Sequence, residues 1–127
     1  SMAETTHISR NEVIEGLRKV AERGIVHPDD LDRTDQEVKQ AQERMFAYVN
    51  QEDEKAKQAK TPEAIYENRF DQATLEVDAG FTDPEYLDEV ANDWLVQDEQ
   101  DARDIGLIDL GDRIQLKIDE INAQLEQ

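Results

Sequence analysis

Apolar residues recur along this chain at three- and four-residue steps and nowhere alternate strictly with polar ones, so the pattern predicts helices and no strands. In the first stretch, residues 9–23, Val13, Ile14, Leu17, Val20 and Ala21 form one face. Ser9 and Glu12 stand at the spacing of a capping box, in which each side chain satisfies a backbone amide of the other at the helix start. Gly24 then offers the left-handed conformation that closes a helix. A second stretch runs from about Thr34, or from as early as Pro28, to about Lys60. Thr34 with Glu37 repeats the capping box, and Val38, Ala41, Met45, Tyr48 and Val49 form the stripe. Beyond Asn50 only Ala56 and Ala59 continue it, among charges that pair at i,i+4, and this end is expected to project into solvent or fray.

Thr61-Pro62 restarts a helix cleanly, since a proline at the first helical position has no amide to leave unsatisfied. Its face is Ile65, Tyr66, Phe70, Ala73 and Val77, and Gly80 ends it. A fourth helix opens at Thr82 or Asp83, carries Leu87, Val90, Ala91, Trp94, Leu95, Ala102 and Ile105, and closes at Gly106. Trp94 is expected in the core with its stripe, and Tyr86 is expected outside it as an exposed interface anchor. Asp98 falls on the apolar stripe, either as a paired buried group or as the point where the stripe turns outward. The fifth helix, about 109–126, presents Leu110, Ile114, Ile118, Ile121 and Leu125 in a near-heptad pattern, a surface able to pair with a second copy of the chain.

Two connections share Gly, Pro, Leu and Asp in register: residues 24–32 around Pro28 and residues 80–88 around Pro84. Each reads as a helix end, an apolar plug and a new helix. Common turn chemistry and internal duplication both account for the likeness. Short links between helices imply antiparallel neighbours. The expected fold class is all-α, an antiparallel helical bundle or stacked helical hairpins of about five helices. The expected organisation is a flexible N-terminus over 1–8, with Ser1 as a tag scar, and a single helical domain over 9–127.

Composition sharpens this picture. The 127 residues are 36% charged and 37% hydrophobic, so the core must be economical and the surface heavily ionised. Cysteine is absent, which removes disulfides, thiolate metal sites and a cysteine nucleophile. No apolar run approaches a membrane span and the start lacks a secretory pattern, so a soluble, cytoplasmic protein without membrane partners is expected. The net charge of −18 opposes direct binding to nucleic acid, which carries the same sign. Its placement is more informative. Residues 1–70 hold 15 acids against 11 bases, a net of −4, whereas the acidic half, 71–127, holds 17 against 3, a net of −14. Salt adaptation would spread carboxylates evenly; this asymmetry points to a local purpose.

Most catalytic chemistries find no residues. Apart from Ser1 the only serine is Ser9, a helix cap, and the two histidines are His7 near the start and His27 before a proline. The five glycines stand singly, so no phosphate-binding loop can be written. Asp30, Asp32 and Thr34 imitate the start of a calcium-binding loop, but Asp35 occupies the turn-glycine position and Ala41 that of the bidentate glutamate. Helical pairs such as Glu85 with Asp88 and Glu89, or Asp101 with Asp104, leave a carboxylate–metal all-α hydrolase as an alternative, although the expected Glu-x-x-His is missing. No catalytic residue, metal or cofactor is assigned.

The surviving feature is the stretch 76–104, with eleven acids and one base, Arg103. Carboxylates on one helical face fall ~5–6 Å apart, near the spacing of phosphates along a nucleic-acid strand. The expected function is therefore a non-catalytic regulator or adaptor that meets a basic protein surface, imitating nucleic acid, through Asp83, Glu85, Tyr86, Asp88, Glu89, Asp93, Glu99, Asp101 and Asp104. The alternative is a structural subunit of an assembly joined through the C-terminal helix.

Overall fold

The computed structural model describes residues 7–127, and among them the chain is all-α, without strands. The expectation of a flexible start therefore lies, for residues 1–6, outside the described residues. Helix α1 spans Arg10–Ala21, α2 Gln36–Ala59, α3 Pro62–Ala79, α4 Pro84–Glu89, α5 Leu95–Asp104 and α6 Ile108–Leu125. A single π-helical turn, Val90–Trp94, joins α4 to α5, so residues 84–104 form one continuous rod. Among the described residues the bundle thus has five rods. A 3₁₀ turn, Pro28–Asp30, sits in the first elbow.

Local chemistry places most of the ends. Ser9 and Glu12 close the capping box of α1. Thr61 accepts the Ala64 amide at 3.1 Å with Pro62 behind it, and Asp83 accepts the Tyr86 amide at 3.1 Å with Pro84 behind it. The cap of α2 differs from expectation. Asp35 accepts the amides of Glu37 and Val38, while Thr34 donates its hydroxyl to Asp32 at 2.7 Å, because an aspartate nearer the first turn outcompetes the threonine. Gly24, Gly80 and Gly106 all have positive φ, as three sharp helix exits demand.

One core joins all the rods. Val13, Leu17 and Val20 of α1 pack with Val38, Ala41 and Tyr48 of α2, and α3 supplies Leu75 and Ala79. Phe81 of the second elbow is fully buried, as its role of plug requires. The rod of residues 84–104 lies along α6, whose Leu110, Ile114, Ile118 and Ile121 are buried against it. Burying a side chain of this size stabilises the fold by about 1.5–3 kcal/mol. The near-heptad stripe is thus largely consumed inside the chain, with Leu125 partly buried at its end, instead of standing free for a second copy.

Two further expectations are corrected. The end of α2 neither frays nor projects: it remains helical to Ala59, Ala56 is buried, and Asp53 accepts hydrogen bonds from Asn68 at 2.8 Å and Gln72 at 2.7 Å of α3. Polar pairs take over where the apolar stripe thins. Ile65, expected on the buried face of α3, is exposed: the fully buried residues of α3, Thr74, Leu75 and Ala79, all lie in its C-terminal half, away from Ile65 near its start.

Candidate functional site

The π turn decides what the acidic rod shows to solvent. The Leu95 amide donates to the Val90 carbonyl, a step of five residues in place of four. One extra residue turns everything after it by about 100°. Leu95 therefore takes the inward place that an unbroken α-helix reserves for Trp94, and Trp94 stands 42% exposed while Leu95 is fully buried. The same rotation carries Ile105 outward to half exposure, while Asp98 is buried, 4% exposed. Tyr86 moves the other way from expectation. It is 6% exposed, because the first elbow folds across it: its ring meets His27 edge-on at 5.5 Å and Trp94 at 6.4 Å. The roles expected of the tryptophan and the tyrosine are exchanged.

The two look-alike elbows are neighbours in space. The Asp83 amide of the second donates to the Val26 carbonyl of the first at 3.0 Å. His27 accepts the Asp29 amide through Nδ1 at 2.9 Å, which orients its ring against Tyr86.

Of the nine expected contact residues, three are engaged within the molecule. Asp83 caps α4, Tyr86 is buried, and Glu99 pairs with Arg103 at 2.9 Å. Glu85, Asp88, Glu89, Asp93, Asp101 and Asp104 remain on the outside of the rod without an ion pair among the described residues, Asp101 being half-buried and the others exposed. Asp88 accepts a hydrogen bond from Asn92, Asn92 and Asn122 of α6 exchange bonds at 2.9 and 3.1 Å, and Asp101 accepts one from Gln97.

The bases of the acidic half are all committed elsewhere. Arg103 holds Glu99 and also Asp112 at 3.0 Å; its stem lies so close over Gly111 that a Cβ there would fall 2.7 Å from Arg103 Cγ. Arg113 pairs with Glu67 and sits 5.9 Å over the Phe70 ring. Lys117 donates to Asp78 at 2.7 Å. No base of residues 71–127 is left to neutralise the six outward carboxylates.

A contrasting polar seam runs along α3. Arg10 of α1 donates to Asp71, to the Thr74 hydroxyl at 2.9 Å and to Asp78 at 2.9 Å, while Asp71 also accepts the Tyr48 hydroxyl of α2. Burial, reinforced by Asp71, pushes the Tyr48 hydroxyl well above its ordinary value, so it stays a donor. With Lys117, three helices converge on two aspartates of a fourth. The groove beside them, about 380 Å³, is bordered by side chains already paired with one another. Asp98 is held in the same manner: Arg69 grips both its oxygens at 2.7–3.2 Å.

Beside the acidic rod lies a cleft of about 290 Å³ between the first elbow, α2, α3 and the π turn. Glu76, mostly buried, has its carboxyl raised above the usual range by burial and then by the charge of Asp29, with the Tyr86 hydroxyl opposing. The Tyr86 hydroxyl is itself raised by burial first and then by Glu76, Asp29 and Glu89. Among the described residues no three His, Asp or Glu side chains converge on a common point for a metal ion. No helix among them is long and apolar enough to cross a membrane. No family model, curated protein or solved structure matches the chain.

Proposed function

We propose that this chain is a non-catalytic acidic interaction protein, a regulator or adaptor whose rod of residues 84–104 docks on a Lys/Arg-rich protein surface and competes there with nucleic acid. One observation carries the reading: six carboxylates point outward from one rod without ion pairs among the described residues, while every base of the acidic half is bound to an internal acid. Uncompensated like charge on one face raises the local potential and costs stability through repulsion, and a cationic partner would relieve that cost. The supporting geometry is rigid, since the rod is clamped to α6 by its apolar stripe and by the Asn92–Asn122 bonds.

The test is competition. A basic DNA-binding protein loaded with labelled duplex is titrated with the chain at rising salt. Displacement that weakens steeply with salt is expected, as is a smaller slope for the triple variant Glu85→Gln, Asp88→Asn, Asp93→Asn. Binding to no basic partner at low ionic strength, or a triple variant that competes like the parent, refutes the reading.

A further inference from the structure

Two of the large apolar side chains left in solvent line one cleft. Phe46 of α2, 58% exposed, and Trp94 of the π turn both line the cleft at the first elbow, and exposed Val26 adjoins His27, which lines it as well. The same cleft is bordered by Asp29, Glu76 and Glu89, and all three carboxylates act on the Tyr86 hydroxyl at its wall. Aromatic faces combined with carboxylates that do not converge tightly enough for a metal ion suit an organic cation. Such a cation gains from ring quadrupoles and from charge, and a planar guanidinium uses both better than an ammonium because it stacks and forks at once.

We infer that the cleft formed by Phe46, Trp94, Tyr86, Glu76, Glu89 and Asp29 is a socket for an arginine side chain of the partner protein. The inference rests on the acidic-docking reading and adds to it a single anchoring point. Charge complementarity selects the occupant: the socket carries three acids against one base, Arg33, which stands at the rim, exposed and without an ion pair among the described residues. Arg33 is thus an internal competitor for the same position. The π turn builds the socket, since without its extra residue Trp94 would face the core.

Trp94 is the only tryptophan, so its emission reports on the socket alone. The full chain is titrated with an acetylated, amidated tetra-arginine peptide and, in parallel, with its tetra-lysine counterpart; calorimetry gives the affinities of variants, and circular dichroism confirms that each is folded. Expected are a saturable change in Trp94 emission with tetra-arginine, weaker binding of tetra-lysine, and a loss of about five- to thirty-fold in affinity for Trp94→Ala. Glu76→Gln should weaken binding in the same direction, and Arg33→Ala should strengthen it. If tetra-arginine binds without moving the emission, and binding falls only in the triple variant Glu85→Gln, Asp88→Asn, Asp93→Asn, the socket is overturned and the acidic-docking reading stands. If the emission moves and Trp94→Ala loses affinity while the triple variant matches the parent, the socket stands and the broad acidic face does not. No binding of either peptide overturns both.

Discussion

The seam along α3 and the outer face of the 84–104 rod are made of the same residue types and behave in opposite ways. On the seam, Asp71 and Asp78 are met by Arg10, Lys117 and the Tyr48 hydroxyl, arriving from three other helices. On the outer face, Glu85, Asp88, Glu89, Asp93 and Asp104 meet no cation among the described residues. The seam's carboxylates tie helices together through ion pairs; those of the face form none among the described residues. Net charge counts both alike. What separates them is whether desolvation and a partner come together, because a paired, half-buried carboxylate is structural whereas a solvated one is available for binding.

The sharpest way to break this distinction is at Asp98, the most buried carboxylate. Arg69→Ala is expected to cost about 3 kcal/mol, since it strands a charge that water cannot reach. Asp98→Ala should cost less, about 1–2 kcal/mol, because the Arg69 side chain is 58% exposed and rehydrates. Urea unfolding of both variants decides; a larger loss from the aspartate substitution contradicts the account.

Next in size is the seam itself. Arg10→Ala should lower stability by about 1.5–2.5 kcal/mol, and Arg10→Lys should recover only part, since one ammonium cannot fork between Asp71, Thr74 and Asp78. Full recovery by lysine, seen in the same unfolding midpoints, would reduce the seam to simple charge neutralisation.

Glu76 lies between the two regions, half-buried yet facing acids. Its carboxyl is raised in the folded state, so between the unfolded and folded values the native chain holds the extra proton. Stability therefore declines as pH rises through that window and stays reduced above it. Glu76→Gln should melt a few degrees higher than the parent at neutral pH, and the gain should vanish in acid below both values. Melting curves across pH test the sign, and a gain that grows toward acid would reverse it.

The smallest effect belongs to the outer face. Replacing Glu85, Asp93 and Asp104 together by their amides should change stability by no more than about 0.5 kcal/mol, toward greater stability as repulsion is relieved. A clear destabilisation, again by urea unfolding, would mean that the face has structural partners and would erase the contrast with the seam.

Much of the fold was legible along the chain. The ends of α1, α3 and α4 and the left-handed glycines follow from interactions that close within one turn, such as the Ser9–Glu12 box or Thr61 with Ala64. Stripe reading failed where the helix departed from 3.6 residues per turn. No residue type in Val90–Trp94 announces a π turn, and only the structure shows that the buried face of Leu95, Asp98 and Ala102 continues that of Leu87, Val90 and Ala91 through it.

The sequence by itself determined the helices, their caps and elbows, and the concentration of acid in residues 71–127, because each depends on neighbours a few positions away or on composition alone. Which carboxylates would be bound and which left free was decided only by the tertiary structure. Arg10 finds Asp78 across 68 positions, Arg69 finds Asp98 across 29, and the two elbows meet across 57, from Val26 to Asp83. Charge acts through space, and only the packed bundle sets those distances.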